Sequence, residues 1–378
     1  MSRIRVMTVF GTRPEAVKMA PLVKELQKHD QIDTIVCVTA QHREQLDQVL
    51  EAFSIKPDFD LDIMESRQTL TLIFTKALTL LEGVMQETKP DIVLVHGDTS
   101  TTFVASLAAY YQQIPIGHVE AGLRTWDKYS PFPEEMNRQL TGVLADLHFA
   151  PTRQAADNLR DEHKREETIY ITGNTAIDAL TTTVTKTYRH DVLDRVKPGH
   201  RIVFMTAHRR ENLDKFATIF QAVRDLVERF DDIHVIYPVH LNPAVREPAN
   251  RILGEHDRIS LIEPLDVLDA HNFMARAHLI LTDSGGVQEE APFLGIPCLV
   301  LRDTTERPEG IEAGTLKLAG TEYDTIVEMA TQLLTDEAAH TQMAVAASPY
   351  GDGQASRRIV EALKHYFGIG DRPASFTP

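Results

Sequence analysis

The sequence predicts an α/β protein of two doubly wound parallel-sheet domains facing each other across a cleft. Three observations predict it. Short, continuous apolar runs alternate with helical patterns along the whole chain, as expected of strands buried on both faces. The length, 378 residues, suits two domains of roughly 150 each. The halves also open alike, RVMTVFGTRPE in the first and IVFMTAHRREN in the second, each a strand, a turn carrying arginine and glutamate, then a helix.

In the first half IRVMTVF, TIVCVT, DIVLVHG, IPIGHVE, LHFAP and TIYITG read as strands, separated by helical stretches such as 14–28, 70–88, 100–112 and 134–144. RIVFMTA, IHVIYPV, ISLIEP, HLILTDS and IPCLVLR continue the rhythm in the second. Residues 173–200 form a helical stretch and a Pro-Gly turn suited to a connector. The expected division is an N-terminal Rossmann-like domain over 1–173 and a C-terminal Rossmann-like domain over 174–355. A last helix, 356–368, is expected to pack back on the first domain, with a mobile tail over 369–378.

Composition narrows the function classes. Lys and Arg number 39 against 55 Asp and Glu, a net charge of −16 that repels nucleic acid and anionic membranes. No apolar stretch approaches the roughly 18 residues of a membrane span, and the N-terminus resembles no signal peptide. The expected address is the cytoplasm. Cys37 and Cys298 both sit in apolar runs and read as buried thiols. The 16 histidines show no metal-binding spacing, so neither metal nor cofactor is expected.

In doubly wound sheets ligands bind beyond the carboxyl ends of the strands, so residues just after strands carry the functional signal. Phe10-Gly11-Thr12-Arg13-Pro14-Glu15 follows the first strand. A plain strand–turn–helix junction accounts for Gly11 and Pro14 but not for Arg13, or for Lys18 one turn on, beside a positive helix end that suits phosphate or carboxylate. No G-x-G-x-x-G follows this strand, which excludes the usual nicotinamide fingerprint, and no P-loop is present.

Asp98 in HGDT and Glu120 in GHVEAGLR end strands, and Glu134 in SPFPEEMNR opens a helix. Singly, Asp98 could be a helix cap and Glu134 a charge favoured at any helix start; together the three form an acid–base set. His208, Arg209 and Arg210 in TAHRREN open the second half, where a salt-bridge cluster at a helix start is the alternative. The sharpest local signal is TDSGGVQEE: Ser284, Gly285 and Gly286 let a ligand approach a helix start suited to diphosphate, with Glu290 one turn in for ribose hydroxyls. Arg302 and Arg307 follow the next strand and suit the same phosphates.

Taken in order, FGTRPE, HGDTST, HVEAGLRT, PEEMNR, TAHRREN, TDSGGVQEEAP and LRDTTERPEG resemble the bacterial non-hydrolysing UDP-N-acetylglucosamine 2-epimerases over nearly the whole chain. The resemblance implies the two-domain GT-B-like arrangement of nucleotide-sugar glycosyltransferases. It implies Asp98, Glu120, Glu134 and His208 as catalytic groups, and Arg13, Lys18, Ser284, Gly285, Gly286, Glu290 and Arg307 as UDP-sugar contacts. It further implies UDP-N-acetylglucosamine as both substrate and allosteric activator, the second site formed by Gln41, His42, Arg67, Glu134, Arg209 and His240. The implied oligomer is a homodimer. Three departures stand out: Leu265 and Ala270 replace a glutamine and a phenylalanine found near the uracil in some members, the helix start after Asn212 lacks the glycine that often follows, which implies a loop of different shape, and Glu44 replaces a glutamine beside the activator residues.

The implied reaction is reversible inversion at C2 by loss of UDP to 2-acetamidoglucal and re-addition, supplying N-acetylmannosamine units for surface polysaccharide. The alternatives are a hydrolysing epimerase releasing N-acetylmannosamine and UDP, a GT-B glycosyltransferase, and a non-catalytic nucleotide-sugar sensor. The last gives no reason to keep Asp98, Glu120, Glu134 and His208 together.

Overall fold

A computed structural model describes residues 3–40, 43–64 and 69–378. They form two units, Met1–Thr181 with Gly351–Thr377, and Thr182–Tyr350. The first holds β1 (Ile4–Phe10), β2 (Ile32–Val38), β3 (Phe59–Asp60), β4 (Ile92–His96), β5 (Ile116–Val119), β6 (Leu147–Ala150) and β7 (Ile169–Ile171). The second holds β8 (Arg201–Thr206), β9 (Ile233–Pro238), β10 (Ile259–Ile262), β11 (Leu279–Thr282), β12 (Cys298–Val300) and β13 (Leu316–Leu318).

The first sheet runs β3-β2-β1-β4-β5-β6-β7 and the second β10-β9-β8-β11-β12-β13, every pairing parallel. Each is a doubly wound, Rossmann-like sheet, the fold class read from the sequence. Strand order reverses between β1 and β4 and again between β8 and β11, the positions where such sheets open a crevice for ligands.

Apolar runs become central strands because both faces of the sheet are covered. All five residues of β4 are buried, and Met7, Val9, Val93 and Val95 pack against Ile73, Ala77 and Leu81 of the helix Leu70–Thr88 and Val104 of the helix Ser100–Tyr111. In the second unit Val203, Met205, Leu279 and Leu281 meet Ile219, Phe220 and Val223 of the helix Phe216–Arg229. Two strands have no counterpart in the sequence reading, β3 and β13. Both are edge strands of two or three residues, too short to carry an apolar run.

The first unit extends past residue 173, through most of the helix Thr175–Thr183. The Asp178 carboxylate holds it there, accepting hydrogen bonds from the backbone of Ala355 at 3.0 Å and Ser356 at 2.6 Å, where the helix Ala355–Tyr366 begins. That last helix packs on the helix Arg13–Leu26.

The tail beyond it departs from the expectation of a mobile segment. Arg372 donates to the carbonyls of Glu167 at 2.7 Å and Ile169 at 2.5 Å, and its guanidinium covers the Tyr170 ring. The Phe376 amide bonds to the Ile171 carbonyl at 2.8 Å and its ring is buried. A polar-looking tail docks because one arginine satisfies carbonyls at the start of β7 while one phenylalanine buries its apolar area.

Candidate active site

In the first unit the groups gather beyond β1, β4 and β5. The helix Arg13–Leu26 opens on a capping box in which Thr12 and Glu15 satisfy each other's backbone donors, with Pro14 in its first turn. Glu15 does more than cap. Fully buried, it accepts from Gly11 N at 3.0 Å, Thr12 N at 2.8 Å and the hydroxyls of Thr12 at 2.8 Å, Thr99 at 2.7 Å and Thr102 at 3.2 Å. It thereby ties the turn after β1 to the turn after β4. Burial pushes its carboxyl above the ordinary range, and the hydrogen bonds from Thr99, Gly11 and Thr12 only partly oppose that. Gly11 is required at this junction: a Cβ would lie 1.9 Å from Thr39 Oγ1 and 2.7 Å from Thr101 Oγ1, whose hydroxyls bond each other at 2.9 Å.

Glu120 follows β5 at φ 62, a left-handed conformation that costs a non-glycine residue roughly 1–2 kcal/mol. It is held on both sides, by Gly97 N to Val119 O at 2.9 Å and Ala121 N to Phe149 O at 3.0 Å. Its Oε2 pairs with the Lys18 ammonium, accepts from Asn174 Nδ2 at 3.1 Å and lies 3.8 Å from His96 Nε2. The structure thus joins Lys18 and Glu120, which lie far apart in sequence.

Asp98 is not the helix cap. Thr99 takes that role, its hydroxyl accepting from Thr102 N at 3.2 Å. The Asp98 carboxylate is left to receive Arg138 Nε at 2.8 Å, while its carbonyl receives Asn137 Nδ2 at 2.9 Å. Glu134 begins the helix Glu134–Leu144 and is half-buried. Its neighbour Glu135 is fully buried and structural, accepting from Thr125 N at 3.0 Å, Trp126 N at 3.2 Å, Gln139 Nε2 at 2.8 Å and Arg138 Nη1 at 3.2 Å. Despite burial, these bonds and the Arg138 charge hold its carboxyl below the ordinary range. Arg13, in the first turn after β1, is half-buried.

Beneath this end lie three buried histidines on neighbouring strands, His96, His118 and His148. His118 Nε2 is 2.7 Å from the Gly97 carbonyl oxygen. Burial pushes the rings down to about 4, about 4 and about 3, so all three are neutral near pH 7.

In the second unit the loop after β8 and the turn after β11 are tied together by Asp283, which has no exposure. Its Oδ2 accepts the backbone N–H groups of His208 and Arg209, each at 2.8 Å. The helix Gly285–Phe293 starts on Ser284, whose amide donates to Thr282 Oγ1 at 2.9 Å. A Cβ on Gly285 would sit 3.6 Å from Arg209 Nη2 and 3.8 Å from Arg307 Nη2, so two guanidinium groups flank this helix start. Glu289, buried, holds Arg307 through a 2.5 Å bond from Nε. Glu290 lies beside the turn, 3.6 Å from His271 Nε2. A glycine helix start with two cations beside it suits a diphosphate. Arg302 is turned elsewhere, pairing with Glu211 at 2.7 Å and Glu306 at 3.4 Å.

Of the residues implied for the activator site, Glu134 stands in the first unit, and Arg209 and His240 flank His208 in the second, the two imidazoles stacked with centroids 5.9 Å apart. Gln41, His42 and Arg67 lie outside the described residues. The helix after TAHRREN starts at Phe216, with only a short turn of 3-10 helix, Arg210–Asn212, before it. Cys37 and Cys298 are free, buried thiols, Cys37 pushed up to about 12 by burial. Among the described residues no group of His, Cys, Asp or Glu is arranged to hold a metal ion, and no helix is long and apolar enough to cross a membrane.

The sequence reading passed over Glu15, Asn174, Arg138 and Asp283. Glu15 had a signal, the T-x-x-E spacing of a capping box at the start of a helix. Asp283 stood inside a quoted motif without a role. Asn174 and Arg138 had none, because their partners Glu120 and Asp98 are distant in sequence.

Two sheets of Rossmann order, with charged side chains and open helix starts at the strand ends beside each reversal, define a doubly wound α/β protein suited to anionic ligands. Residues 24–364 match the family model described as UDP-N-acetylglucosamine 2-epimerase. The UDP-N-acetylglucosamine 2-epimerase of Bacillus subtilis strain 168 is 62% identical, with all of each chain covered. The crystal structure of a putative UDP-N-acetylglucosamine 2-epimerase from Listeria monocytogenes is 58% identical, covers all of both chains and superposes with a TM-score of 0.96. The Neisseria meningitidis enzyme, solved bound to UDP-GlcNAc, is 49% identical over 96% of this chain and 100% of its own, with a TM-score of 0.85. The calicheamicin glycosyltransferase CalG4, 14% identical with a TM-score of 0.60, shares the fold alone. The chain belongs to the UDP-N-acetylglucosamine 2-epimerase family.

Proposed function

We propose that the protein interconverts UDP-N-acetylglucosamine and UDP-N-acetylmannosamine by a non-hydrolysing route: UDP leaves, 2-acetamidoglucal forms, and UDP adds back with C2 inverted. The observation that carries the proposal is Glu120 held beside Lys18 and Asn174, with Asp98 beyond the next strand, in a chain of this family. The sugar's C2–H has no adjacent carbonyl, so a carboxylate cannot simply remove it. Breaking C1–O first builds positive charge at the ring and acidifies C2–H, which a carboxylate then takes. Inversion needs a proton taken from one face and returned to the other, hence a set of acids, Asp98, Glu120 and Glu134. Arg13, Lys18, Ser284, Gly285, Gly286, Glu290 and Arg307 bind the UDP-sugar, and the cations, the helix start and His208 stabilise the departing diphosphate.

A second UDP-N-acetylglucosamine acting as activator on Gln41, His42, Arg67, Glu134, Arg209 and His240 belongs to the same proposal and rests on family resemblance. A homodimer is supported by apolar side chains left exposed on three helices packed side by side: Leu72 and Leu80, then Tyr110 and Tyr111, then Leu140 and Val143. Reduced, buried thiols and a nucleotide-sugar substrate fit a cytoplasmic enzyme supplying surface-polysaccharide synthesis.

Turnover of UDP-N-acetylglucosamine in heavy water tests the mechanism. The expected products are both epimers, still joined to UDP, with deuterium at C2 and no need for added NAD. Product without deuterium refutes the elimination route, and stoichiometric free N-acetylmannosamine with UDP makes the enzyme a hydrolysing epimerase.

A further inference from the structure

We propose that Asp283 is a positioning residue for His208: its carboxylate keeps the imidazole hydrogen on Nδ1 and so leaves Nε2 to exchange a proton with the departing diphosphate. The proposal rests on the reading of His208 given above. Asp283 follows β11 with no exposed surface. Its Oδ2 is committed, accepting the His208 and Arg209 amides at 2.8 Å each and lying 3.4 Å from Asn212 Nδ2. Two consecutive backbone donors on one oxygen prevent the carboxylate from rotating.

That leaves Oδ1, buried and without a hydrogen bond, 3.4 Å from His208 Nδ1. A buried carboxylate oxygen with no donor is costly, typically ~1–3 kcal/mol, and the imidazole N–H beside it relieves that cost with a small ring rotation. The backbone is in place for it. Tyr237 O–H donates to the Ala207 carbonyl at 2.7 Å, and Asn212 Nδ2 donates to the Leu301 carbonyl at 2.9 Å, so both ends of the His208 loop are anchored. The His240 ring stacks on the imidazole at an interplanar angle of 17°.

The charges around the ring oppose one another. Burial pushes His208 below the ordinary histidine range, and Arg209 and His240 push the same way, while Asp283 alone favours the imidazolium. The resting ring is neutral, with Nδ1–H toward Asp283; as the anionic diphosphate binds beside Nε2 the ring takes a proton from solvent there and becomes the imidazolium. As C1–O breaks, the Nε2 proton passes to the diphosphate oxygen released, and the neutral ring keeps Nδ1–H. Re-addition of UDP returns that proton to Nε2. A neutral ring with its hydrogen on Nε2 has its free lone pair on Nδ1 instead, so Nε2 can neither receive a proton nor, as the N–H of an uncharged imidazole, give one up.

The test uses the full chain labelled with 15N-histidine, His208 being assigned by the signals lost in His208→Gln. At pH 8 the wild-type ring is expected to show a protonated Nδ1 and an unprotonated Nε2. In Asp283→Asn the amide oxygen can still accept the two backbone N–H groups, but an NH2 group now faces Nδ1, so the hydrogen moves to Nε2. The expected kinetic effect is a kcat loss of roughly 100-fold or more with UDP affinity held within about threefold. A wild-type ring protonated on Nε2, or an Asp283→Asn enzyme with wild-type kcat, overturns the proposal. Should Asp283→Asn fail to fold, the wild-type spectrum decides alone. A wild-type protein that does not epimerise UDP-N-acetylglucosamine would refute the proposed function instead, since the tautomer is read without turnover.

Discussion

Mild acidification should destabilise the first unit, because His96, His118 and His148 are buried as neutral rings. Burial depresses them from 6.5 to about 4, about 4 and about 3; among the charges, Glu120 and Asp98 oppose this at His96, while Arg124 adds to it at His118 and His148. The sign follows from linkage. Between the unfolded value near 6.5 and the folded values the unfolded chain binds more protons, so stability is fully present above pH 6.5 and drains away as pH falls toward 4. At pH 5.5 an unfolded histidine is mostly protonated and the folded ring is not, a loss of about 1.4 kcal/mol per ring and roughly 4 kcal/mol for three. That is a large part of the ~5–15 kcal/mol that holds a domain together. Burial raises Glu15 and Asp178, which works in the opposite direction and trims the loss. The chain's single tryptophan, Trp126, lies in the first unit, so its fluorescence in urea reports this unit's unfolding. Between pH 7.5 and 5.5 the unfolding free energy should fall by several kcal/mol, and His148→Gln should remove about 1.4 kcal/mol of that dependence. A pH-independent midpoint over this range would refute the reasoning.

Asp98→Asn, Glu120→Gln and Glu134→Gln should each lose roughly 100-fold or more in kcat with far-ultraviolet circular dichroism unchanged; near wild-type turnover in all three removes the acid–base assignment. Gly11→Ala should cost about 2 kcal/mol in the urea transition, because the new methyl displaces the Thr39–Thr101 pair, and an unchanged midpoint would show that the turn can yield. Pure UDP-N-acetylmannosamine should show a lag that a trace of UDP-N-acetylglucosamine abolishes; immediate full-rate conversion rules out the activator site.

Much of this protein could be read locally. Strands buried on both faces must be continuously apolar, so β1, β4, β8 and β11 announce themselves, and the residues that follow them had to be the functional ends. The sequence by itself determined the fold class, the turns that carry Arg13, Asp98, Glu120, His208 and Ser284, and the family. Short edge strands and the docked tail escaped, because each depends on a few contacts rather than on a periodic pattern. Only tertiary structure decided which side chain meets which: Lys18 and Asn174 on Glu120, Arg138 on Asp98, Glu15 bridging two turns, and Asp283 under His208. The physical reason is one of range. Burial patterns, continuous along these strands and recurring every three or four residues along the helices, are written into the local sequence, whereas a charge's partner is chosen by strand order, which brings together groups separated by scores of residues.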